Sequence, residues 1–360
     1  MSGKMIKVSG SLVQMEKKGE TKLYESVHLG TDGIIGEVRR LTKDTAWVLA
    51  YESADGLKPG DLAEPRGIPL QMELGPGLLG GVYDGLGRSL EALYAKTGDR
   101  ISPGTEVSAL DRTKRWVFHP SVTVGTKVVP GDSIGTVQET AQVAHKIMVP
   151  MSVSGTVAEV HNGERTIEEV LVIVKAPDGT DHKLTMIQNW AIRAERSYKQ
   201  KHRTETQIRS LDMSQGSSVQ LSSTESGREI LSKLIPDEAV DVIVCIASGL
   251  TGRECVALIE TCKAQAEPKT VLITSPADTK AAAQEAAIYR GLAIAAYYRD
   301  MGLHTALLID NLTPWLGTTR ETAELFEQAG FVTCLGTEKR QGSLSIIGIL
   351  PAEEGGCAND

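Results

Sequence analysis

The sequence predicts a multidomain chain that is β-rich in its first half and α/β in its second. Three observations carry this. Residues 1–70 and 107–192 break into short apolar-alternating runs separated by glycine and proline, the pattern of small antiparallel barrels and sandwiches. Residues 227–352 alternate apolar runs with helical spacing, the pattern of a mainly parallel sheet covered by helices. Within that region Val240 to Ala266 reads as a buried strand, a turn of mostly small residues and a helix. Strand, glycine-containing turn and helix is the unit that most often handles phosphate in an α/β domain.

In chain order, Ile6 and Val8 alternate with polar residues before Gly10, and Leu23 to Leu29 lead to Gly30 and Gly33. Ile34–Leu41 and Thr45–Tyr51 follow around Asp44, giving an N-terminal antiparallel β-barrel over 1–70. Residues 71–106 form an irregular connector rich in glycine, with one or two helical turns over Leu90–Tyr94. Residues 107–192 return to β pattern. Residues 193–226 start with the basic run Arg193, Arg196, Lys199, Lys201, Arg203 and continue Ser/Thr/Gln-rich, as a mobile linker does. In 227–352 the strands fall at Val240–Ile246, Thr270–Thr274, Ala306–Ile309, Phe331–Cys334 and Ser343–Ile349. Helices fall at Arg253–Ala266, Lys280–Tyr298 and Thr318–Ala329, around a core of about five strands. Residues 353–360 read as a tail.

Composition narrows the function classes. The chain is 41% hydrophobic and 23% charged, ordinary for a globular protein, and its net charge of −8 argues against nucleic acid or an anionic membrane as partner. No apolar run approaches the roughly 20 residues of a membrane span, and MSGKMIKVSG lacks a signal-peptide core, so a cytoplasmic location is expected. Five cysteines at 245, 255, 262, 334 and 357, without CxxC or CxxH spacing, argue against disulfide or zinc frameworks and read as buried small hydrophobes.

Catalytic motifs are scarce. There is no GxxxxGK[ST], no GxGxxG after a strand, no GxSxG and no HExxH. Asp310 ends the run Leu307-Leu308-Ile309, where an acid faces a magnesium ion or caps a helix or loop. Glu254 opens a helix, where its charge suits the dipole, and Arg320 and Glu321 read as a surface ion pair. The two Gly-Thr-Val strands at 135–137 and 155–157 resemble the sandwich of a biotinyl or lipoyl carrier, which would make Lys146 a modified lysine. That resemblance is imperfect, because His145 precedes the lysine and Pro150 follows it by only four residues.

A longer resemblance covers roughly residues 4–192 and 226–351. The runs LGPGLLGGVYDGLGRSLEALYAKTGDRISPG, ALDRTKRWVFHPSVTVGTKVVPGDSIGTVQET and HKIMVPMSVSGTVAEVHNGERTIEEV resemble the catalytic A subunit of V-type and A-type rotary ATPases (ATP synthases). So do TVLITSPADTKAAAQEAAIYRGLAIAAYYRDMGLHTALLIDNLTPW and GSLSIIGILP. The resemblance implies a β-rich bulge domain over 107–192 and a reduced, RecA-like α/β domain over 227–352. It also implies departures. A segment like Ser226 to Pro236 leads into the family's P-loop, yet here only Asp237, Glu238 and Ala239 precede the apolar run at Val240, so the P-loop unit is expected to be missing. Leu250 stands where the family's catalytic glutamate would polarise water, and leucine cannot do so. The family's C-terminal helical domain has no counterpart before Asp360.

What the resemblance implies is therefore a degenerate relative that does not hydrolyse ATP, needs no cofactor and has a binding, assembly or regulatory role. B-type head subunits would meet it through the barrel, placing it peripheral to a membrane through a complex, and a homo-oligomer is the other partner expectation. Nucleotide-site remnants would be Gly249, Gly252, Arg253, Glu254, Asp310, Arg320 and Glu321. The alternatives are an ATP- and magnesium-binding component of an ion-translocating ATP synthase whose neighbour completes the site, and the Lys146 carrier.

Overall fold

The computed structural model describes residues 3–17, 19–202, 219–222, 225–264, 268–313 and 326–350. The first six strands, β1 (Gly3–Ser9), β2 (Leu12–Glu16), β3 (Glu25–Leu29), β4 (Ile34–Leu41), β5 (Thr45–Ala50) and β6 (Leu62–Pro69), close an antiparallel barrel in the order β1-β2-β5-β4-β3-β6. Alternation sets which side faces in: Val13 and Met15 of β2 and Ala46, Val48 and Ala50 of β5 fill the interior while their neighbours face out. The barrel expected from the glycine-cut pattern is present.

The connector is more regular than its composition suggests. It holds β7 (Gln71–Leu74), β8 (Val82–Asp84) and α1 (Leu90–Thr97), the last capped by Ser89. The middle region contributes β9 (Arg115–Pro120), β10 (Lys127–Val128), β11 (Ser133–Gln138), β12 (Ala144–Met148), β13 (Gly155–Val160), β14 (Gly163–Thr166), β15 (Val172–Lys175), β16 (Asp181–Leu184) and β17 (Gln188–Ala191). These make two four-stranded sheets, β12-β11-β9-β14 and β10-β13-β15-β16, and a ribbon in which β17 pairs back with β7. Phe118, Ile134, Val157, Ile167, Leu171 and Val174 are buried here. This is the β-rich domain that the resemblance implied.

The last region comprises β18 (Gln200–His202), β19 (Val219–Ser222), α2 (Gly227–Leu234), β20 (Val242–Ser248), α3 (Gly252–Lys263), β21 (Thr270–Ser275), α4 (Ala281–Asp300), β22 (His304–Ile309), β23 (Gly330–Thr333) and β24 (Gln341–Ile349). They build an eight-stranded sheet in the order β18-β23-β24-β22-β20-β21-β8, with β19 also against β24. Alternate residues of β20 serve two cores. Val242, Val244 and Ile246 join the cluster around α4, while Ile243, Cys245 and Ala247 join Ile230, Leu231 and Leu258 of α2 and α3. All seven residues of β20 are buried, as the β-branched run required.

Two expectations are corrected. The sheet is not limited to about five strands, because the connector supplies β8 and the segments either side of 203–218 supply β18 and β19. Over residues 193–202 the reading of a mobile, solvated linker also gives way. Arg193 is ion-paired to Glu37 of the barrel at 3.2 Å and to Glu285 of α4 at 2.7 Å, Lys199 donates to the Gly336 carbonyl, and Lys201 lies on β18. The cations there tie elements together because the carboxylates of Glu37 and Glu285 and the carbonyls of Gly336 and Glu327 await them. Arg203 to Ser218 lie outside the described residues. So does most of the expected helix Thr318–Ala329, whose described end at 326–327 is helical.

The carboxyl edge of the parallel sheet as a candidate site

The candidate site residues gather where β20, β21 and β22 end, at the edge where open α/β sheets bind ligands. β20 runs straight into Gly249, whose φ of +69° lets the chain turn sharply. The Gly249 amide donates to the Ser275 carbonyl at 2.8 Å, and the Ala277 amide donates to the Leu250 carbonyl at 2.9 Å. The turns after β20 and β21 are therefore laced to each other. Leu250 packs its side chain against the apolar cluster under α2 and α3.

Thr251 begins α3 with a capping box. Its hydroxyl accepts from the Glu254 amide, and Glu254 Oε2 accepts from the Thr251 amide at 2.8 Å and hydroxyl at 2.7 Å. The hydroxyl and amide of Thr251 hold the Glu254 carboxyl below its usual range. Gly252 has open space where a Cβ would project, so no close approach demands glycine there. Arg253 is exposed. Ser226 and Glu229 form the same box at the start of α2, so Ser226-Gly-Arg-Glu229 and Thr251-Gly-Arg-Glu254 are one device used twice.

Asp310 is set at the end of β22 by its own amide, which donates to Ile246 O at 2.9 Å. Its Oδ1 accepts from the Gly227 amide at 2.8 Å, at the first turn of α2. The approach is so close that a Cβ on Gly227 would lie 2.2 Å from the Asp310 carboxyl. Burial raises the Asp310 pKa, the Gly227 amide works against that rise, and the Glu254 charge adds to it. Of the two roles the sequence allowed, the described contacts are those of an acid at a helix N-terminus.

The structure thus brings together Gly249, Gly252, Glu254 and Asp310. Arg320 and Glu321 lie outside the described residues. Sequence reading missed Ser226 and Gly227, although the spacing of serine and glutamate ahead of an apolar run signals the cap. Lys146 is the middle residue of β12, half-buried and paired with Thr136 of β11, whereas the β11–β12 turn lies at 139–143. A carrier lysine needs a projecting turn, and this one sits inside a strand.

A second cluster escaped sequence reading altogether. Glu139, beyond β11, takes hydrogen bonds from His145 Nδ1 at 2.6 Å, Tyr298 at 3.0 Å and the amides of Gly77 at 2.7 Å and Leu79 at 3.1 Å. His145 Nε2 meets the Tyr297 hydroxyl at 2.9 Å. These buried groups join the β-rich domain, the connector and α4.

Comparison with known proteins agrees along the chain. Residues 5–67 match the beta-barrel domain of the ATP synthase alpha/beta family, 107–193 the ATP synthase alpha/beta subunit barrel-sandwich domain, and 213–331 the family's nucleotide-binding domain. The V-type ATP synthase alpha chain of Clostridioides difficile is 36% identical over 388 residues, covering 97% of this chain and 66% of that one. The A subunit of the A-type ATP synthase of Thermococcus sibiricus is 37% identical with the same coverage. The chain thus spans just under two thirds of the length of these relatives. Among solved structures, the assembled ATPase EscN of the enteropathogenic E. coli type III secretion system superposes with a TM-score of 0.55 at 16% identity, covering 99% of this chain and 71% of that one, a likeness of fold. With three successive domains matched in order and more than a third of the aligned residues identical to these relatives, the chain belongs to the ATP synthase alpha/beta family.

Proposed function

We propose that this chain is a degenerate relative of the rotary-ATPase A subunit that does not hydrolyse ATP and serves as a binding or assembly component. The observation that carries the reading is the state of the sheet edge. The acid at the end of β22 is held by the Gly227 amide, and Leu250, half-buried against the apolar cluster, occupies the turn where the family's water-polarising carboxylate is expected. Phosphoryl transfer rests almost wholly on positioning and charge stabilisation, so one engaged carboxylate does not fit a magnesium–nucleotide site.

Chain length supports the loss of a P-loop unit. The C. difficile alignment runs over 388 residues, while 97% of the 360 residues here is about 349, a shortfall of about 39 within the matched span. That is the size of a strand, loop and helix. The shortfall fits the join at Asp237–Ala239, where the chain passes from α2 to β20 through a turn in which the Val240 amide donates to Asp237 O. The domain divisions after residues 70, 106, 192, 226 and 352 belong to the same reading.

The relatives are named as subunits of ATP synthases, and this chain has a closed barrel and a β-rich domain where the family's barrel and barrel-sandwich domains match. The proposed partner is a B-type head subunit met through the barrel, at a location peripheral to the membrane. Among the described residues no helix is long and apolar enough to cross one.

Equilibrium dialysis of the full chain against labelled ATP with magnesium is expected to show no binding up to millimolar nucleotide. Micromolar binding abolished by Asp310→Ala would overturn the non-hydrolysing half. Co-elution with a B-type subunit is expected on size exclusion, and failure to associate with any head or stator subunit would overturn the assembly half.

A further inference from the structure

A cavity of about 570 Å³ opens between the barrel, the connector and α4. Its wall includes Arg66, Gln71, Arg88, Asn189 and Arg290. Arg290 stands out because only 2% of it is exposed, and among the described residues its guanidinium donates one hydrogen bond, from Nη1 to the Gly85 carbonyl at 2.8 Å. Among the described residues its Nε is buried without a partner. Burial depresses its pKa, yet an arginine stays protonated in a protein.

The carboxylates near enough to help are already engaged. Asp84 is taken by Arg88 at 2.7 Å and by the amides of Leu86 and Arg88. Glu37 is shared between Arg39, Arg193 and the Tyr51 hydroxyl. Of the acids on the cavity wall, Glu73 is paired with Arg112, whereas Glu106 is exposed at the rim, 3.4 Å from His28 without a hydrogen bond to it. Among the described residues, Arg290 therefore has no ion-pair partner. A buried charge without a counter-ion is costly, and evolution ordinarily pairs it or replaces it. Arg66 at the exposed rim adds a second positive group, and Gln71 and Asn189 offer amides beside it.

We propose that this cavity is a binding site for a small oxyanion, the phosphate or carboxylate group of a polar molecule, with Arg290 as its counter-charge and Arg66 at its mouth. A guanidinium presents a planar fork of donors that suits either group. The volume lies within the range of small-molecule sites. Occupancy would brace barrel, connector and α4 against each other. The site lies apart from the sheet edge, so it stands whether or not ATP binds there.

The test is thermal unfolding and titration calorimetry of the full chain with inorganic phosphate and with acetate, each against chloride at matched ionic strength. A saturable rise in Tm of roughly 3–8 °C is expected with at least one oxyanion. Which of the two acts tells the phosphate source from the carboxylate source. Arg290→Met should abolish the effect and, without oxyanion, melt no lower than the unsubstituted protein, because an unpaired buried charge has been removed. Arg66→Ala, at an exposed position, should weaken binding by about two- to fivefold and leave the oxyanion-free Tm unchanged. An oxyanion effect no larger than that of chloride, an equal effect in Arg290→Met, or a lower oxyanion-free Tm in Arg290→Met would overturn the proposal.

Discussion

Replacing Glu139 by alanine is expected to destabilise the protein by about 3–5 kcal/mol, the cost of stranding several buried donors at once. The carboxylate is the common acceptor for His145, Tyr298 and the Gly77 and Leu79 amides. Its loss leaves those donors dry, and each unsatisfied group costs about 1–3 kcal/mol before relaxation. Glu139→Gln keeps an oxygen for the two amides. Its NH2 can donate to His145 Nδ1 once the ring takes the other tautomer, so its cost should fall to about 1–2 kcal/mol. Urea unfolding separates the variants. An alanine variant within about 1 kcal/mol of the native protein, or glutamine as damaging as alanine, would show that the network does not join the three segments.

The same residue sets an acid limb. Burial alone pushes the Glu139 carboxyl up, but the charge and hydrogen bond of His145 and the amides of Leu79 and Gly77 hold it below its usual range. A depressed folded pKa stabilises the fold at pH values above the ordinary glutamate value of about 4.3 and loses that contribution as pH falls through the folded value. Stability of the native protein should therefore drop below about pH 4 by more than that of Glu139→Gln.

What was legible in the sequence and what was not follows from where each element finds its partner. β20 could be read because seven successive buried residues demand an apolar run whatever surrounds them. β8, Val82-Tyr83-Asp84, could not, because its strand character comes from pairing with Leu272–Thr274, nearly two hundred residues away. β18, Gln200-Lys201-His202, is polar and exists because β23 offers an edge. The site divides likewise. The positions of Leu250, Glu254 and Asp310 at strand and helix ends were readable from local pattern. That the Gly227 amide would meet Asp310 was not, since it lies 83 residues earlier in the chain. Glu139 and His145, six apart across a hairpin, carry no periodic signal, and only the fold brings Tyr297 and Tyr298 to them.

Gly227→Ala is expected to destabilise the protein by about 1–3 kcal/mol, the cost of overpacking a close contact. The glycine has no unusual backbone angle to protect, so the penalty must come from the Cβ, which would sit 2.2 Å from the Asp310 carboxyl. Asp310→Asn is expected to behave differently. Its Oδ1 still accepts from the Gly227 amide, while a carboxylate whose pKa is raised by burial is removed, together with its repulsion from Glu254. A raised folded pKa means that the ionised form costs stability as pH rises from the ordinary aspartate range through the folded value. The Asp310→Asn variant should therefore be as stable as the native protein or up to about 1 kcal/mol more so at about pH 7, with the difference vanishing near pH ~3. Asp310→Ala should cost more than Asp310→Asn, because it strands the amide. Combining it with Gly227→Ala should recover about 0.5–2 kcal/mol, since the second change fills the space left by the first. Additive losses in that double variant, or Asp310→Asn as harmful as Asp310→Ala, would mean that Asp310 is not chiefly the acceptor for α2. A carboxylate kept for a magnesium ion would instead be intolerant of asparagine in the presence of magnesium and nucleotide. The pair of substitutions therefore distinguishes an acid that holds a helix in place from one that retains the family's chemistry.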